Sequence, residues 1–200
     1  MNYVDLDNTV IDTIRRLGKE QAAARKHGFS DADYMRALHL VNERFGIGEF
    51  TIQRFFGVCR ELNPALSDEV LGEWKEMEND QIFFDDSLEF LKSLPKKELC
   101  LITAGNAEMQ TKKIDTHKLR PYFGKIQILP SPKANNIEPP EAGSVYIDDA
   151  PREIDAMKKR FPYVKCILVR TPPPWETQKM TVSADWYCPD LKTARKLLPD

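Results

Sequence analysis

Apolar and polar positions follow two different patterns along the chain, and the first of them is helical. Between residues 11 and 80 the apolar residues recur every three or four positions, as at Tyr34, Leu38 and Val41, which is the period of a helix with one buried face. Turn-forming residues interrupt this segment near Gly28, Gly46 and Pro64. The segment is therefore predicted to fold as four helices, with Asp31 and Ser67 as candidate caps.

After Asp85 the pattern changes to short apolar runs that alternate with helical segments. The predicted strands are Glu98–Thr103, Lys125–Leu129, Val145–Asp148, Val164–Val169 and a weak edge strand at Trp186–Tyr187. The predicted helices are Ser87–Leu94, Asn106–Leu119, Pro151–Arg160 and Leu191–Leu198. With a further short strand before Asp5, this alternation predicts an α/β fold with a doubly wound parallel sheet. Residues 1–11 and 84–200 would form this core, and residues 12–83 an inserted helical domain.

Polar residues stand where several of the predicted strands end. Asp5 and Asp7 follow the first strand, Thr103 ends the second, and Asp148-Asp149 end the fourth. In open parallel sheets, ligands bind beyond the carboxyl ends of the strands, so these side chains are expected to converge at one edge. The helical insertion leaves and re-enters the sheet at the same edge and would cover it as a cap.

Composition and charge narrow the classes of function. The chain has 200 residues, of which 42% are hydrophobic and 30% charged, enough for one sizeable core with a modest insertion. A net charge of −2 with dispersed basic residues does not favour nucleic acid as a partner. Without a long apolar run or a basic, apolar leader, a cytoplasmic protein without a membrane partner is expected. The four cysteines are too far apart to suggest a zinc site or a disulfide framework.

The pair Asp5 and Asp7 is the main candidate for chemistry. Carboxylates at a buried strand end need a cation or hydrogen bonds to remain ionised. Two of them at positions i and i+2 therefore suggest a divalent metal or a reaction that uses both, and Mg²⁺ prefers such oxygen ligands. On these residues alone, Asp7-Asn8-Thr9 could instead be a polar turn that caps a helix.

The sequence resembles the haloacid dehalogenase superfamily, whose members are mostly phosphatases, and the resemblance covers nearly the whole chain. Four motifs occur in order: Asp5-Leu6-Asp7-Asn8-Thr9, Leu101 to Asn106, a lone lysine, and Tyr146 to Glu153. The family usually has Gly in place of Asn8 and Gly-Asp in place of Asp148-Asp149. Lys133 is the best candidate for the lysine, and Lys125 is the alternative.

The resemblance implies a role for each matched residue. Asp5 would be the nucleophile and Asp7 the general acid and base. Asp5, the backbone carbonyl of Asp7 and Asp149 would hold Mg²⁺. The phosphoryl group would contact Thr103, the N–H groups of Ala104 and Gly105, and Lys133. Asp148 and Glu153 would orient water around the metal, or Glu153 would be a helix-start acid.

The implied activity is magnesium-dependent hydrolysis of a small phosphorylated metabolite, a sugar phosphate or nucleotide, by a monomer or homodimer. The dehalogenases that the chain resembles lack a carboxylate at the position of Asp7, which favours phosphate esters. A phosphosugar mutase and a non-catalytic scaffold protein remain as alternatives. Pro172–Pro174 predicts a stiff loop after the fifth strand, to which no role is assigned.

Overall fold

The computed structural model describes residues 1–170 and 183–198, so the predicted loop at Pro172–Pro174 lies outside the described residues. Within these ranges the chain forms six strands and eight α-helices. The strands are β1 (Asn2–Val4), β2 (Leu99–Ala104), β3 (Lys125–Leu129), β4 (Val145–Asp148), β5 (Lys165–Val169) and β6 (Trp186–Cys188). The helices are α1 (Thr13–Lys26), α2 (Asp31–Phe45), α3 (Ile52–Leu62), α4 (Asp68–Met77), α5 (Ser87–Lys92), α6 (Ala107–Thr116), α7 (Pro151–Arg160) and α8 (Leu191–Arg195).

The six described strands form one parallel sheet in the order β3-β2-β1-β4-β5-β6. The inner strands are buried almost throughout, as expected for apolar runs covered by helices on both faces. This arrangement confirms the predicted α/β fold with a doubly wound parallel sheet. Because β1 lies between β2 and β4, the residues that follow these three strands come together at one edge.

The helical segment folds as predicted, with α1 to α4 between residues 13 and 77. Ser67 caps α4 by accepting a hydrogen bond from the N–H of Glu69 at 3.2 Å. The prediction that Asp31 caps α2 is wrong. Ser30 has the extended backbone of a cap residue, and its hydroxyl accepts from the N–H of Asp33 at 3.1 Å, so Asp31 becomes the first residue of the helix.

Aromatic side chains build the core of the helical segment. Tyr34, Phe55 and Trp74 are fully buried, with ring centroids 4.9 to 5.7 Å apart. Buried Glu20 accepts a hydrogen bond from the Tyr34 hydroxyl at 2.7 Å and pairs with Arg16 at 2.9 Å. Because the buried Glu20 carboxylate keeps both partners only in one arrangement, it favours a single packing of α1 against the other helices.

The contacts divide the chain into two compact units. An α/β unit comprises Met1–Asp12, Phe83–Ala104 and Lys118–Asp200, and a helical unit comprises Thr13–Ile82 and Gly105–His117. The helical unit thus includes α6, which Gln81 contacts by donating to the Thr116 carbonyl at 2.7 Å. A cap with the limits 12–83, closing over the sheet edge, stays a prediction.

None of the helices in residues 1–170 and 183–198 is long and apolar enough to cross a membrane.

Candidate active site

The ends of β1 and β4 place two acidic residues side by side. Val4 pairs with Ile147 in the parallel ladder, and the N–H of Asp5 donates to the Ile147 carbonyl at 3.0 Å. Asp5 and Asp148 are 4% and 0% exposed. Two carboxylates therefore lie together in the protein interior, where like charges repel each other strongly.

A buried lysine lies between these two carboxylates. The Nζ atom of Lys133 is 2.5 Å from Asp5 Oδ1 and 2.6 Å from Asp148 Oδ2, and the residue is only 3% exposed. Lys125 instead has an exposed side chain that pairs with Glu138 at 3.8 Å. Of the two lysines that the sequence left open, Lys133 is the one that the structure brings to Asp5.

Asp148 is held in place from several directions. The Tyr146 hydroxyl donates to its Oδ2 atom, and the N–H of Ala150 donates to its Oδ1 atom at 2.9 Å. Tyr146 reaches this carboxylate because residues two apart on a strand point to the same face. The pKa of the Tyr146 phenol is raised by its burial and by Asp148, so the hydroxyl keeps its proton and remains a donor.

Glu153 holds the segment that carries the lysine. It is buried in the first turn of α7. Its carboxylate accepts from the Ser131 hydroxyl at 2.5 Å and from the backbone N–H of Lys133 at 2.7 Å. Glu153 is therefore a helix-start acid that also fixes the backbone from which the Lys133 side chain extends.

We expect Glu153→Gln to lower the free energy of unfolding by roughly 1–3 kcal/mol, because the amide has one acceptor oxygen where the carboxylate offers two and leaves a buried donor unpaired. Urea denaturation of the two proteins measures this loss. Glu138→Gln is the matched control, since the Glu138 side chain is 88% exposed. An equal change in stability for both variants would contradict the role assigned to Glu153.

A third carboxylate completes an acidic cluster. One oxygen each from Asp5, Asp148 and Asp149 lie within 4.8 Å of one another, and all three residues are buried. Within residues 1–170 and 183–198, no hydrogen bond to the Asp149 carboxylate is found, whereas both oxygens of Asp148 accept one. Three carboxylates lie beside a single ammonium group, that of Lys133, so the cluster has an excess of negative charge. Carboxylate oxygens in such an excess fit a divalent cation such as Mg²⁺.

The pKa values of Asp5, Asp149 and Lys133 reflect this excess of negative charge. Burial and the neighbouring Asp148 and Asp7 raise the pKa of Asp5 to about 8, although Lys133 opposes the change. Burial, Asp148 and Asp5 likewise raise the pKa of Asp149. Burial lowers the pKa of Lys133, but Asp148 and Asp5 outweigh it and raise the pKa, so this lysine is charged. A cation at the cluster would favour the ionised forms of Asp5 and Asp149.

Asp7 lies on a tight loop directly after β1. The loop is closed by hydrogen bonds from the N–H of Asn8 to the Ile11 carbonyl at 2.8 Å and from the N–H groups of Val10 and Ile11 to the Leu6 carbonyl at 3.0 Å. Asn8 has φ of +56°, a left-handed conformation that Gly adopts freely and Asn more easily than most residues. This explains why Asn can stand where the similar motif usually has Gly.

The second motif forms the end of β2 and the start of α6. Thr103 is buried and is the last residue but one of β2, and Ala104 is the last residue of the strand. Gly105 has φ of +141°, and a Cβ atom there would lie 2.7 Å from the Gln110 Nε2 atom. Asn106 then caps α6 by accepting from the N–H of Met109 at 3.1 Å. Phosphate binding by Thr103, Ala104 and Gly105 stays a prediction.

Comparison with known proteins identifies the fold. No family model matches the chain, and no curated protein matches its sequence. A haloacid dehalogenase-like hydrolase from Burkholderia xenovorans superposes with a TM-score of 0.75 at 18% identity, over 98% of this chain and 94% of that one. The magnesium-bound hydrolase YfnB from Bacillus subtilis gives a TM-score of 0.70 at 14% identity, over 100% and 98% of the two chains.

A third similar structure is an L-2-haloacid dehalogenase from Xanthobacter autotrophicus with chloropropionic acid covalently bound. Its TM-score is 0.68 at 11% identity, over 98% of this chain and 96% of that one. This chain therefore has the fold of the haloacid dehalogenase-like hydrolases, as its four motifs predicted. Because one fold serves different reactions, the activity has to be argued from the residues of the site.

Proposed function

We propose that this protein is a magnesium-dependent phosphatase that hydrolyses a small phosphate monoester through an aspartyl-phosphate intermediate. The observation that carries the proposal is the pair of carboxylates after β1: Asp5 lies buried against Lys133, and half-buried Asp7 follows two positions later. A nucleophile and a separate proton donor at this spacing suit a displacement in which the leaving group must be protonated.

The residues divide the reaction into two displacements. In the first, an Asp5 carboxylate oxygen attacks phosphorus, the bond from phosphorus to the ester oxygen breaks, and Asp7 gives its proton to the leaving alkoxide. In the second, Asp7 takes a proton from the water that attacks phosphorus, and the bond from phosphorus to Asp5 breaks to release phosphate. Each displacement is easier than direct attack by water on the ester.

The surrounding groups support the charges of this reaction. The ammonium group of Lys133 would attract the oxygens of the phosphoryl group and, together with Mg²⁺, favour the ionised form of Asp5. The carboxylates of Asp5 and Asp149, with the carbonyl of Asp7, would hold Mg²⁺, while Lys133, Tyr146 and the Ala150 N–H keep Asp148 oriented. When bound, Mg²⁺ supplies positive charge that neutralises the carboxylates and the phosphate dianion.

The same fold also hosts dehalogenation, and Asp7 separates the two reactions. A halide ion leaves carbon as a stable anion and needs no proton, whereas an alkoxide leaving group does. A carboxylate at position 7 would have no task in dehalogenation and would add repulsion beside Asp5. Its presence therefore supports hydrolysis of a phosphate ester.

A small metabolite such as a sugar phosphate or a nucleotide is the proposed substrate class. Basic residues of the helical unit could have pointed to a second anionic group on the substrate. Four of them are paired within the unit instead, in the ion pairs Arg16–Glu20, Arg44–Glu61, Arg54–Glu49 and Arg60–Asp68. A substrate with a single phosphate is therefore favoured over one that carries an additional carboxylate or phosphate.

The experiment that tests this function is phosphate release from a panel of small phosphate esters, each measured with Mg²⁺ and with a chelator. Release that requires Mg²⁺ supports the proposal, and the preferred ester defines the substrate. Conversion of a sugar phosphate into an isomer that retains its phosphate would overturn it in favour of a mutase. Magnesium binding measured by calorimetry completes the test, because a scaffold protein has no need to bind the ion.

A further inference from the structure

Arg170, the residue that follows β5, has an unusual backbone and a largely buried side chain. Its φ of +63° lies in the left-handed region, which disfavours an arginine. Its side chain is only 11% exposed. Such backbone strain persists where the contacts of the side chain compensate for it, and it often marks a functional position.

The guanidinium group contacts the loop that carries Asp7. Its Nε and Nη2 atoms donate to the Thr9 carbonyl at 3.1 and 3.0 Å. Nη2 also donates to Asp86 Oδ1 at 2.8 Å, and the group stacks on the Phe84 ring at 3.6 Å from its centroid. The planar guanidinium can make all of these contacts at once, which an ammonium group could not.

The partners of Arg170 are themselves fixed. The second oxygen of Asp86 accepts from the N–H groups of Leu191 and Lys192 at 2.5 and 3.1 Å, in the first turn of α8. The next residue, Ser87, donates its hydroxyl to the Val10 carbonyl at 2.7 Å. The carbonyls of Thr9 and Val10 are thus both held by side chains from outside the loop.

We infer that Arg170 is a positioning residue for Asp7, acting through the Thr9 carbonyl. Asp7 and Thr9 belong to the same short loop, so displacement of the Thr9 carbonyl would rotate the peptides on either side of Asn8 and move the Asp7 carboxylate. Asp5 is held by contacts that do not involve Arg170: its backbone N–H donates to the Ile147 carbonyl, and its carboxylate pairs with Lys133. Loss of Arg170 should therefore impair the acid and base while sparing the nucleophile.

This inference rests on the proposed function, and the choice of leaving group tests it. Benzyl phosphate has a leaving alkoxide that requires a proton, whereas the leaving group of 4-nitrophenyl phosphate departs without one. The kcat/KM value reports the first displacement, in which Asp7 protonates the leaving group. For Arg170→Met we expect kcat/KM to fall about 100-fold with benzyl phosphate and only a few-fold with 4-nitrophenyl phosphate.

Lys158→Met is a matched control. Lys158 is a half-buried cation of the same unit that donates to the carbonyls of Pro162 and Val164 at 3.2 and 3.0 Å and pairs with Asp185 at 3.0 Å. It thus resembles Arg170 in its contacts but lies elsewhere. The control variant should lose the same small factor with both esters.

The outcomes separate the inference from the proposed function. Equal losses with both esters in Arg170→Met, or no loss, would overturn the positioning role while the phosphatase stands. Wild-type protein that hydrolyses neither ester would overturn the proposed function and this inference with it. Because both rates come from the same preparation, the fraction of folded protein cancels in their ratio. If Arg170→Met does not fold, Arg170→Lys provides the same comparison, since it loses the two-point contact with Thr9.

Discussion

Replacing Asp5 with Asn is expected to reduce magnesium-dependent phosphate release by about 10⁴-fold or more. The amide has nearly the same shape as the carboxylate but cannot form the acyl-phosphate bond through which both displacements proceed. It also removes one oxygen ligand from the acidic cluster. Initial rates with the preferred ester of the panel measure the effect, and unfolding curves establish that the variant is folded.

The covalent intermediate gives a second measurement for this variant. Wild-type protein quenched with acid during turnover should gain the mass of one phosphoryl group, located on the peptide that contains Asp5. Asp5→Asn should gain none. Asp85→Asn makes the same exchange at an exposed carboxylate of the α/β unit and should behave as the wild type. Phosphorylation that persists in Asp5→Asn would show that another residue is the nucleophile.

Local patterns were sufficient to predict most elements of the fold. The predicted limits of Lys125–Leu129, Val145–Asp148 and Pro151–Arg160 agree with β3, β4 and α7. β3 has Lys125 and Gln127 between its apolar residues and stops before Pro130, whereas β4 is an apolar run that ends at Asp148. Proline at the first position of α7 sets where that helix starts. Such signals are contained in a few neighbouring residues. The cap residue of α2 was missed because Ser30 and Asp31 are both good capping residues and only the backbone conformation distinguishes them.

The supporting contacts of the site were harder to predict because they join distant parts of the chain. Glu153 bonds to the backbone of a residue 20 positions away, and Arg170 to a carbonyl 161 positions away. A single sequence contains no pattern that reports such a contact. Tyr146 is different, since its partner is two positions further along the same strand. The alternation of a strand could have revealed it, but an aromatic residue in an apolar run is more often only part of the core.

Removal of the buried lysine should have the largest effect on stability. We expect Lys133→Met to lower the free energy of unfolding by about 3–5 kcal/mol, because it removes the cation from its buried ion pairs with Asp5 and Asp148. Lys125→Met removes an exposed lysine whose ion pair is 3.8 Å long and should change stability little. Urea denaturation of the two variants beside the wild type measures the difference, and equal effects would contradict the position assigned to Lys133.

The pH dependence of this loss identifies its cause. In the folded variant Asp5 and Asp149 lack the ammonium group that opposes the rise of their pKa values, so these values lie further above those of the unfolded chain. A carboxyl group with a raised folded pKa contributes stability that is fully present below its pKa in the unfolded chain and is lost as the pH rises through its folded pKa. The penalty of Lys133→Met should therefore increase above about pH 8, where Asp5 is ionised in the folded wild type but still protonated in the folded variant. Mg²⁺ should recover part of it in the alkaline range, because a cation bound to the folded state stabilises that state by mass action. A penalty that is independent of both pH and Mg²⁺ would mean that Lys133 contributes through packing rather than through its charge.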